Sequence, residues 1–221
     1  EQAETATSEV VHHAIQVTLD PARKTMSVTD TVRIPANASR PFTFALNGQL
    51  RVLDATPAVE ELPAGPAATG GSAPERFSLK RYRTSAPAGA TLTVRYEGPM
   101  DFALSDPKEE YTRGFRETPG YIGPEGVYLS SASWWYPRVD RELVTFTVEA
   151  SGPADWHLIS QGNGTSRDAA GRARWDSGGP MDEIYLVGGP LHLYKDSAGA
   201  IEALVYLRER DPSLAGEYLA A

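Results

Sequence analysis

Regular alternation of apolar and polar residues is the feature that most restricts what this chain of 221 residues can fold into. The stretch HHAIQVTLD places Ile15, Val17 and Leu19 on one side, and MSVTDTVRI repeats the pattern from Met26 to Ile34. Because successive side chains of a strand point to opposite faces, this period of two predicts half-buried β-strands. The stretch DPARKT between them supplies turn formers, so we predict that the fold begins with a β-hairpin.

Further short strands are predicted along most of the remaining chain. They are PFTFAL, ERFSLKRYR, ATLTVRYE, ELVTFTVEA, DWHLIS, RARWDS, EIYLV, LHLYKD and AIEALVYLRE. Turn signals such as NGQ, PAGA, GNG and SGGP separate them, and the chain holds 20 glycines and 17 prolines. This pattern is typical of an all-β fold. We therefore predict one β-sheet domain over residues 11–210, built from mostly antiparallel stacked sheets in a sandwich or saddle-like arrangement.

Four segments depart from the strand pattern. Residues 1–10 are polar and small and are predicted to form an N-terminal tail. A loop rich in proline, glycine and alanine covers 58–75, and a long polar loop covers 99–126. Long loops of compact domains are often functional. Over 211–221, Asp211 as N-cap and the proline that follows it predict the start of a short helix.

Composition argues against several classes of function. The formal charge of −8, from 29 acidic and 21 basic residues, opposes nucleic-acid binding, which needs clustered basic side chains. No apolar run approaches the ~18 residues that a transmembrane segment needs. Without cysteine the chain has no disulfide framework and no thiolate chemistry. The polar leader and the lack of cysteine favour a secreted or periplasmic location, although a cytoplasmic one also fits.

Residues suited to catalysis or metal binding are scarce. The four histidines, His12, His13, His157 and His192, show no H-E-x-x-H spacing, and we interpret each as a satisfied or solvated strand histidine. The G-x-S-x-G pattern of a serine nucleophile is absent. Neighbouring carboxylates would diverge on a strand and would be solvated in a loop. We therefore predict no catalytic residue, no metal ligand and no cofactor in this chain.

The stretch LSSASWWYPRVDR is the strongest candidate for a site. If it is extended, Trp134 and Tyr136 share one side, while Ser133 and Trp135 take the other. Pro137 would then end strand pairing, since it lacks a backbone donor. Three interpretations stay open from the residues alone: packing in the core, a sugar-binding platform, and a wall that faces a substrate or another domain.

The order of these motifs resembles the N-terminal domain of the gluzincin zinc aminopeptidases, the family of membrane alanyl aminopeptidase and leukotriene hydrolase. The opening HHAIQVTLDPARKTMSVTDTVRIP is similar to the first hairpin of that family. YPRVD supplies its aromatic-Pro-x-x-Asp element, with Tyr136, Pro137 and Asp140. DWHLISQGN and LVGGPLHLYKDSAGAIEALVYLRERDPSLAGEYL are similar to the later strands and to the helix that leads into the catalytic domain. The resemblance spans nearly the whole chain.

The resemblance implies a non-catalytic domain that braces a catalytic domain and walls one side of its substrate cleft. The residues that would face a peptide substrate are Ser130, Ser131, Ser133, Trp134 and Trp135. Well-studied members carry a Gln-x-Glu pair in this region, whereas this chain has no carboxylate there. The zinc-binding H-E-x-x-H lies downstream in that family, so zinc is expected in the missing catalytic domain and not in this chain.

Two other hypotheses stay open. A stand-alone binding module would use Trp134 or Trp135 as a stacking surface for carbohydrate or protein. An inactive homologue of the family would use its sheets for assembly only. The domain hypothesis makes a structural prediction of its own, because a surface that docks another domain leaves an exposed apolar patch.

Overall fold

The computed structural model describes residues 10–38, 41–63, 68–69, 76–103, 118–139 and 143–220, which contain eighteen strands and one α-helix. The first nine strands are β1 (Val10–Asp20), β2 (Thr25–Arg33), β3 (Phe42–Asn47), β4 (Arg51–Thr56), β5 (Val59–Glu61), β6 (Ala68–Thr69), β7 (Arg76–Phe77), β8 (Leu79–Thr84) and β9 (Thr91–Pro99). The others are β10 (Gly120–Gly123), β11 (Gly126–Leu129), β12 (Leu143–Ser151), β13 (His157–Ile159), β14 (Asn163–Thr165), β15 (Arg172–Asp176), β16 (Leu186–Gly189), β17 (His192–Ala198) and β18 (Ile201–Leu207), and the helix is α1 (Pro212–Leu219). The all-β prediction is confirmed.

The largest sheet has seven strands in the order β14-β15-β12-β1-β2-β9-β4. The predicted first hairpin lies at its centre, where β1 and β2 pair antiparallel with Val17 opposite Val28. Strands β1 and β12 run parallel, with Ile15 aligned to Val148, whereas the other ladders of the described residues are antiparallel. Since parallel neighbours need a long crossover connection, local alternation could not reveal this pair.

Two smaller sheets pack against the apolar face of the large one. They have the strand orders β10-β11-β16-β13 and β3-β8-β5. A single cluster of buried side chains runs through all three sheets and includes Val148, Leu46 and Leu186, each fully buried. The opposite face of the large sheet carries polar side chains, so its strands alternate between buried and exposed residues as the sequence predicts.

The two stretches predicted as long loops contain short strands. Strands β5 and β6 fall within 58–75, and β10 lies within 99–126. These strands have two to four residues, too short to show alternation. The remainder of the two stretches falls largely outside the described residues, as does the predicted tail except for Val10, the first residue of β1.

The C-terminal part forms a separate hairpin and the helix. Among the described strands, β17 and β18 pair with each other alone, and α1 packs against them. The Asp211 carboxylate accepts a hydrogen bond of 2.9 Å from the Leu214 N–H, so the predicted N-cap is confirmed. No helix in the described part of the chain is long and apolar enough to cross a membrane.

Candidate functional site

The aromatic stretch is folded into a turn, so the alternation of side chains that an extended conformation would give does not apply to it. Ser131–Ser133 form one turn of 3₁₀ helix, and Trp134 follows with φ 54° and ψ 41°. Backbone N–H groups of Ser133 and Trp134 donate to the Ser130 and Ser131 carbonyls, each over 3.1 Å. The Ser133 hydroxyl also donates to the Ser130 carbonyl over 2.7 Å. Serine hydroxyls compete with strand pairing in this way, which is why period-two reasoning fails here.

This turn places two consecutive aromatic residues in the core. Trp135 is fully buried and Tyr136 is 1% exposed, and their rings meet edge-to-face with centroids 5.5 Å apart. The Trp135 indole N–H donates to the Ile184 carbonyl over 3.1 Å, so its polar atom is satisfied. Trp135 therefore belongs to the core rather than to a platform.

Burial limits which of the five residues predicted to face a substrate can reach one. Ser130, Ser133 and Trp135 are 4%, 0% and 0% exposed, so their side chains do not reach the surface of this domain. Ser131 and Trp134 are partly exposed. The substrate-facing role stays a prediction, and these two side chains are the ones placed to carry it.

Two residues distant in sequence hold the turn in place. Asn47, at the end of β3, donates from its side chain to the Ser133 carbonyl and from its backbone to the Trp134 carbonyl, both over 2.9 Å. Glu183, which precedes β16, accepts a hydrogen bond of 3.0 Å from the Ser131 N–H. The turn is thus fixed between two of the sheets.

Glu183 carries the negative charge at this turn. Burial acts to raise the pKa of Glu183, but hydrogen bonds from Ser131 and Tyr185, together with the charge of Arg138, outweigh burial and hold that pKa below its ordinary value. The bond to Glu183, with a contribution from burial, raises the pKa of Tyr185 to about 12. At neutral pH the pair is therefore a carboxylate and a neutral phenol.

Arg138 covers one face of Trp134. Its guanidinium carbon lies 4.8 Å from the indole centroid, and its Nη1 donates to the Ser131 carbonyl over 3.2 Å. We call the surface formed by Ser131, Trp134, Arg138, Glu183 and Tyr185 the Trp134 surface. It offers a hydroxyl, an aromatic ring, a cation and a carboxylate, a combination suited to holding a polar chain.

The groups of the Trp134 surface are suited to hydrogen bonding and packing rather than to activating a nucleophile. The Ser131 hydroxyl has a carboxylate beside it, but a carboxylate of lowered pKa is too weak a base to activate serine near neutral pH. Sequence reasoning missed the parts played by Asn47, Glu183 and Tyr185, because each meets the turn only through tertiary contacts. The adjacent acidic residues 182 and 183 were visible in the sequence, but their spacing gave no indication of a link to Ser131.

Three histidines have hydrogen-bond partners, as the sequence predicts. His13 Nδ1 lies 2.7 Å from Asp30 Oδ2 in the core, His12 Nδ1 lies 3.0 Å from Thr145 Oγ1, and His157 has a serine partner. Across the described ranges, no three His, Asp or Glu side chains converge as metal ligands would. The histidines and carboxylates of the described ranges therefore do not fit a zinc ion.

Comparison with known proteins shows where this fold occurs. No protein-family model and no curated protein sequence matches the chain. An M1 zinc metallopeptidase from Deinococcus radiodurans, solved with a Tyr-Ser-Ala substrate, aligns with a TM-score of 0.57 at 18% identity, covering 90% of this chain and 47% of that one. The chain has a fold found within the M1 zinc metallopeptidases.

Two further solved structures are similar to this chain in fold. An aminopeptidase N family protein from Idiomarina loihiensis aligns with a TM-score of 0.51 at 15% identity, over 94% of this chain and 34% of that one. Native yeast LTA4 hydrolase aligns with a TM-score of 0.53 at 13% identity, over 90% and 31%. The chain therefore spans less than half the length of each structure, and the resemblance inferred from motif order is confirmed for the fold.

Proposed function

We propose that this chain is the non-catalytic N-terminal domain of an M1-type zinc aminopeptidase. In this role it braces the catalytic domain and walls one side of the substrate cleft. The observation that carries the proposal is the shared fold, which takes in 90% of this chain but only 47% of the Deinococcus metallopeptidase and 31% of the yeast LTA4 hydrolase. Zinc and the groups that activate water would belong to the catalytic domain.

Exposed apolar residues at the C-terminal hairpin and helix support the docking of another domain. Seven large apolar side chains are exposed among the described residues, and four of them lie in β18 and α1: Ile201, Leu204, Leu214 and Tyr218. Ile201 is 73% exposed and Tyr218 is 63% exposed. A two-stranded hairpin is marginally stable by itself, so a covering partner would stabilise this one. The catalytic domain is the partner we propose.

The Trp134 surface is the part of the domain that we propose as the cleft wall. Ser131 and Trp134 are partly exposed there, the Glu183 carboxylate holds the Ser131 N–H, and the Asn47 N–H holds the Trp134 carbonyl. A wall of this kind gains from rigidity, because a preorganised surface loses less entropy when a peptide binds. The indole would pack on a substrate side chain and the Ser131 hydroxyl would bond its backbone.

The coding sequence beyond Ala221 gives the first test. We expect an H-E-x-x-H motif within the next domain, roughly 100–200 codons on. A polypeptide extended through that domain should hydrolyse an alanyl arylamide, and the Trp134→Ala variant should raise KM more than it lowers kcat. The 221-residue chain should be inactive. Hydrolysis by that chain itself, or a downstream sequence without a zinc motif, would contradict the proposal.

The stand-alone binding module would have to rely on Trp134. Trp135 lies in the core, so of the two tryptophans predicted as alternatives only Trp134 is accessible, and Arg138 already covers one face of its ring. Intrinsic fluorescence titrated with oligosaccharides should therefore stay flat. A saturable change that the Trp134→Ala variant abolishes would restore the module hypothesis.

A further inference from the structure

A basic depression of about 530 Å³ lies beside the C-terminal hairpin. Four of its lining side chains carry basic groups: His157, His192, Lys195 and Arg210. None of the lining residues is acidic. In a chain whose formal charge is −8, such a local excess of basic groups is notable because it opposes the overall balance.

The basic groups of this depression act on one another. His157 is part-buried, and its pKa is lowered by burial and then by the charges of Arg167, His192 and Lys195. Like charges held this closely repel one another. An anion among them would relieve the repulsion and would favour the protonated imidazole.

His157 offers a ring nitrogen for hydrogen bonding at the same depression. His157 Nδ1 is engaged with Ser166 Oγ at 3.0 Å, and the ring stands edge-on to Tyr206 with centroids 5.7 Å apart. Its orientation is therefore fixed, and Nε2 is left without a partner in the described part of the chain. This free nitrogen is the hydrogen-bonding group that a ligand in the depression would meet.

A carboxylate of the chain itself already pairs with Lys195, one of the basic residues of the depression. Lys195 Nζ lies 3.3 Å from Glu202 Oε1 across the hairpin, and the two side chains are 53% and 58% exposed. This exposed pair is weak and salt-sensitive. A ligand with anionic oxygens could therefore displace Glu202 from Lys195 at small cost.

We propose that this depression binds a compact oxyanion, a phosphate or carboxylate group, with Lys195 and Arg210 supplying charge and His157 and His192 supplying directed hydrogen bonds. Ionised donors to such oxygens form the stronger class of hydrogen bond. None of these residues belongs to the Trp134 surface, but Lys195 is paired in the β17–β18 ladder with Leu204 of the proposed docking surface. The site is therefore tested in the 221-residue chain, in which that surface is not covered by another domain.

Imidazole NMR resonances of the 221-residue chain test the site directly. Titration with inorganic phosphate, and in a second arm with acetate, should shift the His157 and His192 signals saturably. Bound anion should raise the pKa of His157, because it stabilises the imidazolium form. Tighter binding of phosphate assigns a phosphate ligand, and tighter binding of acetate assigns a carboxylate.

Charge variants separate this site from general ion effects. Lys195→Gln and Arg210→Gln should each weaken phosphate binding about tenfold, as loss of one charge-assisted hydrogen bond does. Glu202→Gln should strengthen binding, since it removes the competing carboxylate from Lys195. Arg95→Gln, an exposed arginine of the large sheet, is the matched control and should change nothing. Absence of a saturable shift in both arms, or equal weakening by Arg95→Gln, would overturn the proposal.

Discussion

Glu183 orders the Trp134 surface through its charge, and its effect on stability should depend on pH. Folding lowers the pKa of Glu183 from its ordinary value of 4.5. The resulting stabilisation is therefore present above the unfolded-state pKa and is lost as pH falls through the folded-state value. We expect Glu183→Gln to lower the free energy of unfolding at pH 7 by about 1 kcal/mol, since the site is only partly buried. Urea unfolding at neutral and acidic pH measures the difference.

The matched control for Glu183 is Glu217, an exposed carboxylate of α1. Glu217→Gln should leave the free energy of unfolding within about 0.5 kcal/mol of the parent at both pH values. If Glu183→Gln destabilised the chain equally at acidic pH, lost packing rather than lost charge would explain its effect, and the role assigned to the carboxylate would be wrong.

The two adjacent tryptophans should differ sharply in their effect on stability. Trp135 is fully buried and its indole N–H is bonded to Ile184, so Trp135→Ala should cost about 3–5 kcal/mol of unfolding free energy. Trp134 is partly exposed and packs on Arg138, so Trp134→Ala should cost about 1 kcal/mol. Denaturant unfolding of both variants provides the comparison. Equal costs would contradict the division between core and surface.

At the scale of elements, the C-terminal hairpin should tolerate polar substitution on its exposed face. Ile201 of β18 is 73% exposed, so Ile201→Ser should change the unfolding free energy of the 221-residue chain by less than about 0.5 kcal/mol. The same substitution should reduce binding of a hydrophobic dye, because it removes exposed apolar area. In a longer polypeptide that contains the docked domain, Ile201→Ser should lower the unfolding temperature.

Ile15→Ser in β1 is the control for this hairpin prediction, because Ile15 is 1% exposed. Ile15→Ser should lower the free energy of unfolding of the 221-residue chain by at least about 3 kcal/mol. Unfolding of that chain by Ile201→Ser would show that this face is already packed, and the docking surface would then have to lie elsewhere.

Local sequence pattern predicts the elements of this fold better than their assembly. Alternation in β1 and β2 gives both strands, their hairpin and the face that is buried, and Asp211 gives the start of α1. The parallel pairing of β1 with β12 depends on contacts between residues more than a hundred positions apart. No local period encodes such a pairing.

The sequence pointed to the stretch that forms the candidate site, but it did not predict the conformation of that stretch. The serines that mark the stretch also close the 3₁₀ turn, and this turn brings Trp135 and Tyr136 into the core together. Hydroxyl-to-backbone bonds compete with strand pairing, and burial of the aromatic rings decides the competition in favour of the turn. Tertiary partners such as Glu183 then fix the result, which is why they were invisible in the sequence.

For the molecule as a whole, a buried histidine–aspartate hydrogen bond links the large sheet to the candidate site. His13 and Asp30 are 1% and 0% exposed, His13 Nδ1 lies 2.7 Å from Asp30 Oδ2, and Asp30 Oδ1 has no partner among the described residues. The His13 ring also stands edge-on to Tyr136, with centroids 5.3 Å apart. Disturbance of the pair should therefore reach the segment that carries the two tryptophans.

A double-mutant cycle measures what this buried pair contributes to the whole fold. Asp30→Val alone leaves a buried imidazole without its partner and should lower the free energy of unfolding by about 3–5 kcal/mol. The double variant His13→Leu/Asp30→Val should lose at least about 1 kcal/mol less than the sum of the two single variants. The exposed pair of Arg51 and Glu97, at 2.6 Å, is the control, and its coupling should stay below about 1 kcal/mol. Tryptophan emission should shift in the Asp30→Val variant, because Tyr136 packs on both His13 and Trp135. Additive costs with unchanged emission would show that the pair stabilises the large sheet alone, without any effect on the candidate site.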